Sequence, residues 1–376
     1  MGNTCCSKRG QYRERQGTPP GPPATAQCGT QVHDDIVVDV CATEDPDVFL
    51  SASNDATIAR FNWAEDRLLD RWKGHTSSVS KATARALIAG HVLYANQLRR
   101  AISCSRDRSI RVWRAGQADA VSTVGDAHRL PVTGLTINPE QTFVCSGARD
   151  YNVSFWDLAT CRRLTTNETE LNVVTAVKWI PDSASVLQCS EDLLVRVWDS
   201  RTGKLAQKFP GGTDFALCCD VSRNGYQAIT GYNGFNKDAC VLRLWDLRKM
   251  SLLATFAGHE QSVRSCAFLP GTVPRAVSTG KDSTLRIWNL DDGAGAAQTQ
   301  TIPDASYSTC IAADMTRSGR HSVTRRPNAN LNVMRALTPR PDQIYSGCAN
   351  AFVCVWNVGD DGLAQMRCRT APAPAS

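Results

Sequence analysis

The 376-residue chain is 42% hydrophobic and 21% charged, an ordinary globular balance, and its 42 Lys and Arg against 36 Asp and Glu leave a formal charge of +6. So mild an excess argues against a nucleic-acid partner, which favours a concentrated basic stripe. No apolar run reaches the roughly 18 residues of a spanning helix, and the start MGNTCCSKRG lacks the apolar core of a secretory signal.

The sixteen cysteines are therefore expected as reduced thiols on the cytosolic side. They show no paired CxxC or HxxxH spacing for zinc, so no metal and no cofactor is expected. Cys104, Cys145, Cys189 and Cys354 fall inside apolar strand patterns, where a thiol acts as a small hydrophobe.

Residues 1–31 read as a flexible tail. Gly2 becomes an N-myristoyl acceptor once Met1 is removed, although Cys6 stands where Ser or Thr is usual, with Ser7 next. One myristoyl chain binds a bilayer only reversibly, so stable anchoring needs a second signal. Cys5 and Cys6 offer thiols for S-acylation, and Lys8, Arg9, Arg13 and Arg15 offer charge for an anionic leaflet. Residues 16–31, QGTPPGPPATAQCGTQ, then read as a Pro-rich tether. The expected location is the cytoplasmic face of a membrane.

From residue 32 to 370 the chain repeats. Alternating segments end in Trp113, Trp156-Asp157, Trp198-Asp199, Trp245-Asp246, Trp288-Asn289 and Trp356-Asn357, with a degenerate first copy ending at Phe61. The intervals run from 42 to 68 residues. About 24 residues before five of them lies another alternating run, at Val37, Val132, Val174, Val263 and Val333, and most aromatic positions are followed by a further strand-like run, as at 205–209 and 252–256. Each copy thus predicts four antiparallel strands, and seven copies predict an all-β fold, a seven-bladed β-propeller.

A second pattern is threaded through the first. A His stands four residues before the Val position at His33, His75, His128 and His259, and a Ser stands four before a turn Asp at Ser51, Ser103, Ser146 and Ser278. Three copies carry a complete set: His75/Ser103/Asp107/Trp113, His128/Ser146/Asp150/Trp156 and His259/Ser278/Asp282/Trp288. The first keeps His33, Ser51 and Asp55 but has Phe61 in place of an indole, and the fourth has Glu170 and Gln188 at the His and Ser positions. A buried carboxylate needs donors, and imidazole, hydroxyl and indole can supply them. These residues are expected to be structural, not catalytic, and no phosphate-cradling glycine loop accompanies them.

Three stretches depart from the repeat. About ten extra residues interrupt the second copy near 85–95, GYNGFNKDAC enlarges the fifth, and residues 291–330 read as a long surface insertion. Between two choices for the first strand of the seventh copy, 307–312 and 333–338, the second is preferred for its match to the third copy. Seven blades can then be counted without an N-terminal strand, leaving 371–376 as a C-terminal tail.

The punctuation resembles the WD40-repeat family. Over residues 71–290, RWKGH, SCSRDRSIRVW, PVTGLTINP, NVVTAVKWIPDSASVLQCSEDLLVRVWDSR and the NGF insertion before LRLWDLR resemble, more narrowly, the WD repeat-containing protein 31 family. That resemblance implies a scaffold of the cilium or flagellum, acting on intraflagellar transport or membrane-protein traffic. Partner proteins are expected on the propeller faces, at residues flanking the turn Asp: Asn54, Arg106, Arg108, Arg149, Tyr151, Glu191 and Lys281. An alternative is a substrate receptor of a cullin-RING ubiquitin ligase, since Trp198-Asp199-Ser200-Arg201 and Trp245-Asp246-Leu247-Arg248 resemble the WDxR box, with Arg201 and Arg248 as adaptor contacts.

Overall fold

The computed structural model describes residues 26–43, 45, 47–84, 100–168, 173–209, 214–234, 239–271, 273–291, 298–301, 308–313, 342–358 and 364–371. Strand β1 is Ala26–Gln31. Blade one comprises β2 (Val37–Ala42), β3 (Val48–Ser53), β4 (Thr57–Asn62) and β5 (Arg67–Lys73). Blade two comprises β6 (Val79–Ala84), β7 (Arg100–Ser105), β8 (Ile110–Arg114) and β9 (Ser122–Val124). Blade three follows with β10 (Val132–Ile137), β11 (Phe143–Ala148), β12 (Asn152–Asp157) and β13 (Arg163–Glu168). Blade four has β14 (Val174–Trp179), β15 (Ser185–Ser190), β16 (Val195–Asp199) and β17 (Leu205–Lys208). Blade five has β18 (Phe215–Val221), β19 (Gln227–Asn233), β20 (Leu242–Asp246) and β21 (Ser251–Phe256). Blade six has β22 (Val263–Leu269), β23 (Arg275–Gly280), β24 (Thr284–Asn289) and β25 (Gln298–Thr301). Blade seven has β26 (Ser308–Ala313), β27 (Asp342–Cys348), β28 (Val353–Val358) and β29 (Ala364–Ala371).

The four consecutive strands of each blade form an antiparallel meander, and the seven first strands stand side by side around a central channel. The core lies between blades. Among the described residues the buried apolar side chains form seven clusters, one at each blade-to-blade joint. The period of two explains this arrangement. On β27 and β28, Tyr345, Val353 and Val355 face blade one, whereas Ile344, Cys354 and Trp356 face blade six. Middle strands are covered on both sides, so they read as nearly continuous apolar runs.

Three expectations need correction. The first strand of blade seven is Ser308–Ala313, paired with β27 from Ser308↔Cys348 to Ala313↔Ile344, not 333–338, which lies outside the described residues. The long spacing to Trp356 arises inside the blade, between its first and second strands, so a fixed offset counted back from Trp356 lands in the insertion. The 291–330 stretch is likewise not one loop, since it holds the outer strand of blade six and the inner strand of blade seven.

The third correction concerns the ends. Ala26–Gln31 is not tether but a strand, paired in parallel with β29 through Ala26↔Cys368 and Gln31↔Ala371. Blade seven therefore has five strands. The added strand covers the hydrogen-bonding edge that β29 would otherwise present, and Ala371 belongs to the sheet, not to a tail.

Candidate functional site

The His, Ser, Asp and Trp of a blade come from four places: the loop before the first strand, the second strand, the turn after it, and the third strand. In blade two, Trp113 Nε1 donates to Ser103 Oγ at 2.8 Å, Ser103 Oγ lies 2.8 Å from His75 Nε2, and His75 Nδ1 lies 2.8 Å from Asp107. Blade three repeats the relay through Trp156, Ser146, His128 and Asp150 at 2.8, 2.7 and 3.1 Å. Blade six does so through Trp288, Ser278, His259 and Asp282 at 2.8, 2.7 and 2.8 Å. An ionised carboxylate can only accept, so the imidazole carries a proton on Nδ1, facing it, while Ser Oγ accepts the indole proton and lies within hydrogen-bond distance of Nε2.

Asp282 also accepts from the Glu260 amide at 3.0 Å and from Thr284 Oγ1 at 2.8 Å. Burial pushes the Asp107 and Asp282 carboxyls up, but the bonds from His75 and Ser109, and from His259 and Thr284, outweigh it and hold both well below the usual carboxylate range. The same cause depresses Asp55 and Asp150. Ser103, Ser146 and Ser278 have no exposed surface. These Ser–His–Asp sets are sealed clasps, with no room for a substrate at the hydroxyl.

Other blades substitute chemically. In blade one His33 still joins Ser51 at 2.7 Å and Asp55 at 3.0 Å, while Phe61 packs on Phe49. In blade four Gln188 Oε1 accepts from Trp198 Nε1 at 2.6 Å; Glu170 lies outside the described residues. There Arg196, itself buried, bonds Ser190 Oγ at 3.0 Å and pairs with Asp192. Trp245 donates to Thr230 Oγ1 in blade five and Trp356 to Ser346 Oγ in blade seven, both at 2.8 Å. Sequence reasoning missed Thr230, Ser346 and Arg196. A spacing of ten residues before the aromatic position, shared by Ser51, Ser103, Ser146, Gln188 and Ser278, would have found Ser346. Thr230 escapes it because the blade-five insertion widens the gap to fifteen.

The clasps hold the turns that ring one end of the channel. The residue just before each turn Asp clips its amide to the loop entering the inner strand: Asn54 to Ile36, Arg106 to Ser78, Arg149 to Pro131 and Lys281 to Ser262, each at 3.0 Å, and Glu191 to Val173 at 3.1 Å. Asn54, Arg106, Arg149 and Glu191 therefore line the mouth of a cavity of about 630 Å³ that follows the channel. Lys281 is exposed but is not among the lining residues. Arg108 is turned aside into an ion pair with Asp126 at 2.8 Å, and Tyr151 occupies the left-handed turn position at φ 69°.

Deeper in the channel, Lys81 meets Asp39 at 2.9 Å and Lys178 meets Asp220 at 2.8 Å. Burial pulls the Lys81 ammonium down, but Asp39 outweighs it and raises its pKa; Asp220 raises that of Lys178. Cys218 and Cys266 also line the wall, with Sγ atoms 3.4 Å apart. Burial pushes the neighbouring Cys310 thiol up to about 12, the behaviour of an unreactive core thiol.

Arg201 and Arg248 follow the third strands of blades four and five, at the end opposite the clasped turns. The Arg201 amide bonds Asp199 at 2.9 Å, and the Arg248 guanidinium lies 4.4 Å from the centre of the Tyr226 ring. Gly2, Cys5 and Cys6 lie outside the described residues.

The model of the WD domain, G-beta repeat family matches residues 66–114, 121–157, 161–199 and 250–289. Over these four stretches the chain carries WD40 repeats. Each matched stretch runs from the outer strand of one blade to the third strand of the next, so every WD40 repeat straddles a joint. Relatives include the nuclear distribution protein PAC1 of Arthroderma benhamiae, 26% identical over 316 residues, covering 77% of this chain and 66% of that protein. Pre-mRNA-processing factor 19 homolog 2 of Arabidopsis thaliana is 24% identical over 278 residues, covering 70% and 48%. The ribosome biogenesis protein WDR12 homolog of Oryza sativa subsp. japonica is 24% identical over 226 residues, covering 50% of each. The chain thus spans two thirds or less of the length of these curated relatives. Their names describe three different cellular tasks.

Proposed function

We propose that this chain is a protein-interaction scaffold held at a membrane by an acylated N-terminal tail, with a role in ciliary or flagellar traffic. One observation carries the scaffold reading: every His–Ser–Asp set that resembles catalytic machinery is a closed clasp, and the clasps stiffen turns whose neighbouring side chains remain exposed. Loops held on a rigid ring present a preorganised surface at low entropic cost. Support for the membrane comes from Gly2 with Cys5 and Cys6 and the following basic residues. Support for the cilium is the sequence resemblance over 71–290.

The test uses the full chain with a C-terminal proximity-labelling tag in a ciliated cell, beside its Gly2→Ala variant. Wild type is expected in the membrane fraction and at the cilium or its base, with labelled neighbours absent from a tag-only control, and Gly2→Ala in the cytosol. Equal membrane fractions overturn the anchor. Anchoring without ciliary enrichment overturns the address alone, and neighbours no different from the control overturn the scaffold.

A further inference from the structure

We propose that the clasped end of the channel is a docking site for an acidic peptide segment of a partner protein, held by Arg106, Arg149 and Arg264. The proposal deepens the scaffold reading and rests on it.

The inner strands set the background. Their second position is Thr133 in blade three, Thr175 in blade four and Thr309 in blade seven, and these hydroxyls reach the carbonyls of Val174, Ala216 and Val37 in the next blade. Blade six has Arg264 at the same position, exposed and lining the channel. A long cation thus stands where blades three, four and seven place a short, internally bonded hydroxyl. Across the opening, Arg106 and Arg149 line the same cavity from adjacent blades, each fixed by its backbone amide and each with an exposed side chain.

Most other cations near the channel have an anion. Lys81 and Lys178 pair with Asp39 and Asp220, and Arg108, just outside the mouth, pairs with Asp126. Among the described residues no carboxylate lies within ion-pair distance of Arg106, Arg149 or Arg264. Three guanidiniums held on a stiff ring around one opening repel one another, and bringing carboxylates among them relieves that repulsion. A guanidinium presents a planar fork that matches a carboxylate in two hydrogen bonds. Among the described residues only Glu191 adds negative charge to the lined rim, on blade four, so an acidic segment is favoured across blades two and three towards blade six. A cavity of about 630 Å³ beneath the opening can receive side chains of the segment.

The experiment measures fluorescence anisotropy of a short fluorescein-labelled Glu/Gly peptide with the full chain. Its Gln/Gly counterpart and a labelled single-stranded oligonucleotide serve as competing probes. The Glu peptide is expected to bind best, with affinity falling as salt rises, and the Arg106→Glu/Arg149→Glu/Arg264→Glu variant to bind it roughly tenfold or more weakly. Arg108→Glu, outside the cluster, is the control and keeps wild-type affinity. Unchanged melting of the triple variant shows that the ring is intact; if it melts early, three single reversals are measured instead, each expected to weaken binding. Equal binding of Glu and Gln peptides, tighter binding of the oligonucleotide, no binding by wild type, or an unaffected triple variant each overturns the proposal. Proximity labelling separates the two levels: neighbours retained by the triple variant leave the scaffold standing without this site, whereas a wild type with no specific neighbours removes the scaffold itself.

Discussion

Thr309 on the inner strand of blade seven gives its hydroxyl proton to the carbonyl of Val37 in blade one, so one side chain links the two ends of the ring. The residues are 272 positions apart. The Thr309 hydroxyl is also 3.2 Å from the Gly347 carbonyl, which ties the same contact to the second strand of blade seven.

Thr309→Val keeps the shape and removes the donor. The loss is expected to cost roughly 1 kcal/mol, and somewhat more where the carbonyls stay dry. Hydrogen exchange should quicken first in β2 and β26, ahead of the joint between blades three and four. Uniform quickening around the ring, or none, would mean that the closing bond has no special weight.

Gly347 meets Val37 from the other side. A Cβ there would lie 2.6 Å from Cys310 Sγ and 2.7 Å from Val37 Cγ1. Both neighbours are buried, and valine is stiff at χ1, so neither yields cheaply. Gly347→Ala is expected to destabilise by about 1–3 kcal/mol. Combining it with Val37→Ala should recover part of that loss by opening space; a denaturant titration of the two singles and the double decides the matter.

The clasps predict a separate set of costs. Asp282→Ala and Asp150→Ala each deprive a fully or nearly buried imidazole of the carboxylate at its Nδ1, and backbone amides at Glu260 or Arg129 of their acceptor. A loss of about 1–3 kcal/mol is expected for each. Melting temperatures equal to wild type for both variants would show that the relay contributes nothing to the fold.

Acid should undo the same clasps. The carboxyls of Asp55, Asp107, Asp150 and Asp282 are depressed in the folded state from an ordinary value of 3.8, so their contribution is fully present above that value and is lost as pH falls below it towards the folded values. Stability measured in urea is expected to fall steeply below about pH 4. Asp282→Asn should flatten the slope, because one of the linked protonations is gone; an unchanged slope would assign the acid sensitivity elsewhere.

The amino-acid sequence determined the blade count, the strand type and the clasp partners of blades two, three and six. Those features recur at short, repeated separations: ten residues between Ser103 and Trp113, and four between Ser103 and Asp107. Local hairpin geometry imposes those separations in every copy. Only the tertiary structure decided which strand opens blade seven, that Ala26–Gln31 extends its sheet, that Arg108 is drawn off to Asp126, and that Arg264 faces Arg106 and Arg149 across one opening. These features depend on ring closure, which brings Thr309 to Val37 and sets blade six opposite blades two and three. A periodic pattern records what each blade needs for itself; it carries no record of where an insertion falls within a blade or of which side chains meet across the channel.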